Sequence, residues 1–178
     1  LSSFEDLSDE QWLHIHGLSR GHPLVLELIN RGASAGAYHE SLEAYVSVEI
    51  FSKLSAEEKR VLSALSVFRE SVSLDALGQQ DLDLDVLDSL VDQGLARQAD
   101  SNTFDVHDLI REFLLRSLDE QQRQDLHRRC IAWYAEHHAT AEQLVEYIHH
   151  LIACDEIEDA VNLLTNEGRG LVLSLIHI

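Results

Sequence analysis

The chain has 178 residues, 45% of them hydrophobic, enough for one large domain or two small ones with a sizeable core. Its 32 Asp plus Glu against 13 Lys plus Arg give a formal net charge of -19, which sets the surface against nucleic acid and anionic membranes. No stretch reaches the roughly 18 apolar residues of a membrane span, and LSSFEDLSDE at the start has neither a basic flank nor an apolar signal core, so a cytoplasmic protein is expected.

Lys53 and Lys59 are the only lysines, and the acidic residues are dispersed along nearly every segment. Dispersed acidity with scarce lysine resembles proteins of salt-loving archaea, in which salt screens self-repulsion. The expected result is a higher unfolding midpoint in molar salt than in low salt; equal midpoints would contradict it. Cys130 and Cys154 stand among apolar helical residues such as Ile131, Trp133 and Ile152, so buried free thiols are expected. With no methionine anywhere, residue 1 is expected to be a cut inside a longer protein.

In chain order, Ser8 and Gln11 form a capping-box pattern ahead of Trp12, Ile15 and Leu18, a first helix that Gly21 closes. GHPLVLELINRG follows, with Pro23 suited to a first helical position and Gly32 to a helix end, so two helices meet at a stiff corner. An apolar helix runs through Leu42, Tyr45, Val46 and Ile50 to Leu54. Ser55 with Glu58 caps the next, whose core face is Val61, Leu62, Leu65 and Phe68. Ser73 caps a short helix, Leu74 to Gln79, and another spans Leu84 to Gln93 and stops at Gly94. Leu95 to Ala99 and Thr103 to Val106 then pair as a hairpin across Asp100, Ser101 and Asn102. Three helices and a hairpin are the order of a winged-helix domain.

The stretch FDVHDLIREFLL leaves the second wing strand and enters a helix ending near Leu118. His107 and Asp108 stand at the junction, where unpaired helix N–H groups favour an anion. From Asp119 the chain reads as helical, with Leu126, Cys130, Trp133 and Tyr134 on one helix and Leu144, Tyr147, Ile148 and Leu151 on the next. A third helix runs from Asp155 through Ile157, Ala160, Val161 and Leu164. The alternation of bulky and small residues in AEQLVEYIHHLIACDEIEDAVNLL suits tetratricopeptide-like pairs, with an apolar face left exposed near the C-terminus. Residues 168–178 are apolar and uncapped, and are expected to be a truncated or misread terminus, or else a genuine next helix.

Several chemistries find no support. A P-loop needs glycines followed by lysine and Ser or Thr, and neither lysine follows a glycine, so the chain alone should not hydrolyse nucleoside triphosphates. Eleven histidines include the close pairs His14 with His16, His137 with His138, and His149 with His150. Ligands sharing a helix face recur at three or four residues, so no metal site is expected. No glycine-flanked nucleophilic serine or catalytic cysteine context occurs either.

GHPL at Gly21 to Leu24 and VHDLIREF at Val106 to Phe113, separated by a winged-helix pattern, resemble motifs of the signal-transduction ATPases with numerous domains (STAND), which include NB-ARC proteins. The resemblance covers roughly residues 8 to 118. It implies that Gly21 and Pro23 open a lid helix with the proline against adenine, and that His107, with Asp108 beside it, faces the β-phosphate of ADP. The first position of the latter motif is valine here in place of the family's methionine. The P-loop, the Walker acidic residues and the sensor arginine, which that family places upstream, are absent from this chain.

The resemblance therefore implies a mainly α chain: a helical lid over 1–36, a winged helix with a short β-hairpin over 37–118, and the start of TPR-like repeats over 119–178. Its expected role is to couple bound ADP or ATP, with Mg in an upstream nucleotide-binding domain of the same protein, to the repeats. Protein partners through the repeats and a nucleotide-dependent oligomer follow from the same resemblance. Two alternatives stay open: a winged-helix transcriptional regulator and a helical-repeat interaction scaffold. The regulator would need basic residues on the helix Leu84 to Gln93, which carries Asp85, Asp88 and Asp92 and no cation, while the wing offers only Arg97.

Overall fold

The computed structural model describes residues 13, 50–78 and 82–176. The helices expected before residue 50, with Gly21 and Pro23 at their corner, lie outside the described residues, apart from Leu13, which is helical and exposed.

Phe51–Lys53 form a 3-10 turn that leads into α1, Ala56–Ser66. The capping box is formed as expected: the Ser55 hydroxyl accepts from the Glu58 N–H at 3.1 Å, and the Glu58 carboxylate accepts from the Ser55 N–H at 2.8 Å. Val61, Leu62 and Leu65 are buried along the predicted face, and Phe68 is buried just beyond the helix end. Two residues, Val72–Ser73, form a strand β1 that periodicity did not reveal, because two residues cannot display a period. Ser73 then caps α2, Leu74–Gly78, its hydroxyl accepting from the Ala76 N–H at 3.3 Å.

The helix expected over Leu84 to Gln93 is divided into a 3-10 turn, Leu84–Val86, and α3, Leu87–Asp92. Its stop is the expected glycine. Gly94 takes φ 74°, its N–H bonds to the Val91 carbonyl, and the Leu95 N–H reaches back to Leu90, each at 2.9 Å. That is a complete Schellman closure. The hairpin comprises β2, Ala96–Asp100, and β3, Thr103–Val106, one residue out of step with the predicted first strand. The shift arises at the turn, where Asp100 remains in the strand and its carboxylate accepts from the Asn102 N–H at 2.9 Å. A register irregularity between Gln98 and Asp100 accommodates it. β3 pairs antiparallel with both β1 and β2, so the sheet order is β1-β3-β2. Helix, strand, two helices and hairpin are arranged as a winged helix.

α4, Asp108–Ser117, follows β3 without a gap beyond His107 and packs on α1. The rest is helical. α5, Glu120–Tyr134, and α6, Ala141–Ala153, each start at a capping box, Asp119 with Gln122 and Thr140 with Gln143. α5 packs on α6 and α6 on α7, Ile157–Ile176, as two successive hairpins. α7 continues beyond Leu164 and through Gly168 and Gly170. Each internal glycine costs about 1 kcal/mol, which weakens a helix without stopping it as proline would.

One core cluster runs from Leu54 through the winged helix to Cys130 and Tyr134 of α5, so the first repeat helix shares the core of the winged helix. Cys130 is buried as expected; Cys154 is only half-buried, its sulfur 3.8 Å from the Gln124 carbonyl. Val145, Ile152, Ile157, Val161 and Leu164 leave an exposed apolar surface on α6 and α7, as the repeat pattern predicts. Among the described residues, no helix is long and apolar enough to cross a membrane.

Candidate functional site

His107 sits where the sequence placed it, between the last residue of β3 and the first of α4, half-buried. Its carbonyl accepts the Arg111 N–H at 2.9 Å, which sets the first helical turn. Asp108 is exposed, and its carboxylate pairs with Arg111 Nη1 at 2.8 Å. Arg111 was not singled out by the motif. Its side chain is largely buried, and its Nε has no hydrogen-bond partner among the described residues. Strand end and helix head thus place His107, Asp108 and Arg111 within one helical turn of the junction. Gly21 and Pro23, the other residues nominated for nucleotide, lie outside the described residues.

A second constellation joins the winged helix to the repeats. The chain leaving α1 presents Val67, Phe68 and Arg69 to α6. Arg69 Nε donates to Glu146 Oε1 at 3.1 Å, its backbone N–H donates to Oε2 at 3.4 Å, and Nη2 reaches the Val145 carbonyl at 3.5 Å. The Glu146 side chain is 6% exposed and the Arg69 side chain 47%, so the anion is desolvated and its partner only half so. A buried anion with a single cationic partner depends heavily on that partner. We expect Arg69→Leu to destabilise the chain by about 2 kcal/mol, below the fully buried range because the guanidinium is half in water. Adding Glu146→Leu should recover most of the loss in urea unfolding. A double variant no more stable than Arg69→Leu would contradict this reading.

Behind that pair lie three histidines. His127 of α5 and His150 of α6 are buried, with their Nδ1 atoms 2.8 Å apart, so one ring donates and the other accepts. His149 stands beside them, its ring edge-on to His127 at 5.6 Å. Phe68 packs edge-on to His150 at 5.3 Å and Tyr134 stacks on it at 5.7 Å. Burial pulls His127 from 6.5 down to about 4, with the neighbouring His149 and Arg123 adding to the effect. Burial also drives His150 strongly down and His149 less so, the latter opposed by Glu146 and by a hydrogen bond to the Val67 backbone. All three are neutral near pH 7. Spacing along the chain could not announce this cluster, because His127 lies on a different helix from the His149 and His150 pair.

The wing argues against phosphate backbones. Arg97, its one cation, forms a two-pronged pair with Asp105, Nε to Oδ1 at 2.8 Å and Nη2 to Oδ2 at 3.1 Å. Asp88 and Asp92 are exposed on α3, the helix that would face DNA.

No family model matches the chain, and no curated protein matches it. Among solved structures, it is similar to a Signal Transduction ATPase with Numerous Domains (STAND) protein with a tetratricopeptide repeat sensor from Pyrococcus horikoshii. The sequences are 24% identical and the TM-score is 0.66; the match covers 96% of this chain and 26% of that one, so the chain spans about a quarter of its length. The winged helix continued into helical hairpins is therefore a fold that this chain shares with part of a STAND protein.

Proposed function

We propose that this chain is the lid, winged-helix and first-repeat part of a STAND-type switch that converts nucleotide state into domain position. In this reading residues 1–36 are the lid, 37–118 the winged helix and 119–178 the start of the repeats. The observation that carries the proposal is the likeness along 96% of the chain to a STAND protein with a repeat sensor, with His107 held at the strand-to-helix junction. An upstream domain of the same cytoplasmic protein binds ADP or ATP with Mg; Gly21 and Pro23 open the lid helix at that nucleotide with Pro23 against the adenine, and His107, beside Asp108, meets the β-phosphate. The core shared by the winged helix and α5 makes a rigid connection, so displacement of the winged helix moves the repeats. The exposed apolar surface on α6 and α7 receives a following repeat, and the assembled repeats bind protein partners and gate oligomerisation.

The test is His107→Ala in the protein that carries the nucleotide-binding domain. Loss of a hydrogen bond to a charged phosphate is worth about 1.5–3 kcal/mol, so ADP release should accelerate by roughly tenfold or more. An unchanged ADP off-rate and unchanged oligomeric state would reject the sensor role. Retention of all protein-partner binding in that variant, with no nucleotide bound by the wild type, would favour a plain repeat scaffold.

A further inference from the structure

The three histidines between α5 and α6 have no part in the proposed response to nucleotide. His127, His149 and His150 each offer one ring nitrogen, and the three atoms lie within 4.8 Å of one another. We propose that they bind one divalent ion of the zinc class, pinning α5 to α6 and both to the end of α1.

Three neutral imidazoles with a fourth position for water form an established zinc donor set. Ligand nitrogens at about 2.0–2.1 Å from a tetrahedral ion lie roughly 3.3 Å apart. The Nδ1 atoms of His127 and His150 are 2.8 Å apart, so these two rings need part by about half an ångström, while the His149 nitrogen, up to 4.8 Å away, closes in by as much as about 1.5 Å. The proton they share need not leave the protein. Whichever ring carries it at Nδ1 takes the Nε2–H tautomer instead, freeing both Nδ1 lone pairs.

The surroundings match what orients metal-binding imidazoles. Such rings use their second nitrogen on a carbonyl or carboxylate. His149 is hydrogen-bonded to the Val67 backbone, and His150 Nε2 points towards Glu146 Oε2 at 3.8 Å. His150 is 0% exposed, and its Nε2 has no hydrogen-bond partner. A simple His127–His150 imidazole pair leaves that nitrogen unanswered. With the ion bound, Nε2–H faces the Glu146 carboxylate, which Arg69 holds in place. Burial keeps all three rings unprotonated, the form that binds metal. The net charge of -19 raises the local concentration of cations.

The experiment uses the 178-residue chain stripped with chelator, titrated with zinc chloride by calorimetry and with cobalt(II) followed by visible absorption. One ion per chain, a cobalt spectrum of a four-coordinate nitrogen-rich site and a zinc-dependent rise in Tm are expected. His149→Gln, at the half-buried edge of the cluster, should weaken binding at least about tenfold with the metal-free Tm retained. His127→Gln should do the same, while His137→Gln, an exposed histidine outside the cluster, should leave binding unchanged. Absence of stoichiometric binding overturns the proposal. Binding that survives both His149→Gln and His127→Gln, or is lost equally in His137→Gln, also overturns it.

Discussion

Phe68→Ala is expected to lower the unfolding free energy by about 3–5 kcal/mol, read as a shift in urea midpoint by far-ultraviolet circular dichroism. Phe68 is 2% exposed and belongs to the core cluster, yet its ring also lies edge-on to His150 of α6. Truncation opens a cavity where the winged helix meets the repeats, and the rigid ends of α1 and α6 limit its collapse. Domains of this size have only about 5–15 kcal/mol in total, so the variant loses a large part of its stability. Phe68→Leu, which fills most of the space, should cost clearly less. A loss below about 1 kcal/mol for Phe68→Ala would mean that the junction is not packed as described.

Acid should act on the same joint. In the metal-free chain, with chelator present, His127 is neutral when folded down to about pH 4, whereas the unfolded residue takes up a proton near 6.5. Above 6.5 neither state holds that proton and burial of the ring carries no pH-linked cost. As pH falls from 6.5 to 4 the unfolded state binds more protons, so stability declines across that window and the change levels off below it. For His127 the loss reaches about 3 kcal/mol by pH 4. His150 shifts in the same direction for the same reason, and the two rings titrate as a coupled pair. His127→Gln can retain a donor towards His150 without taking up a proton, so its stability should vary less between pH 6.5 and 4 than that of the wild type. Equal slopes for the two proteins would remove His127 as the cause.

Much of the fold was legible in neighbouring residues. The Ser55 and Glu58 capping box, the Ser73 cap and the stop at Gly94 are each specified within a few positions, and each is formed. The hairpin was legible through its turn residues but was placed one residue early, since Asp100 can serve either as turn or as strand end. β1 has no signature of its own in the sequence, because Val72 and Ser73 are a strand only by virtue of pairing with Phe104 and Thr103. Of the site, His107 and Asp108 were legible as a motif at a helix head, while Arg111 beside them was not, since a surface arginine and a largely buried one look alike in sequence.

FDVHDLIREFLL, the capping boxes and the helical periodicities carry their structural meaning locally, because hydrogen bonds at helix ends and the stripe of a helix involve residues three or four apart. The joint between the winged helix and the repeats could be decided only in three dimensions. Arg69 meets Glu146 across 77 positions and His127 meets His150 across 23. The packing of α5 on α6 and the burial around Phe68 then determine which imidazoles are dry, neutral and close enough to share a proton or an ion.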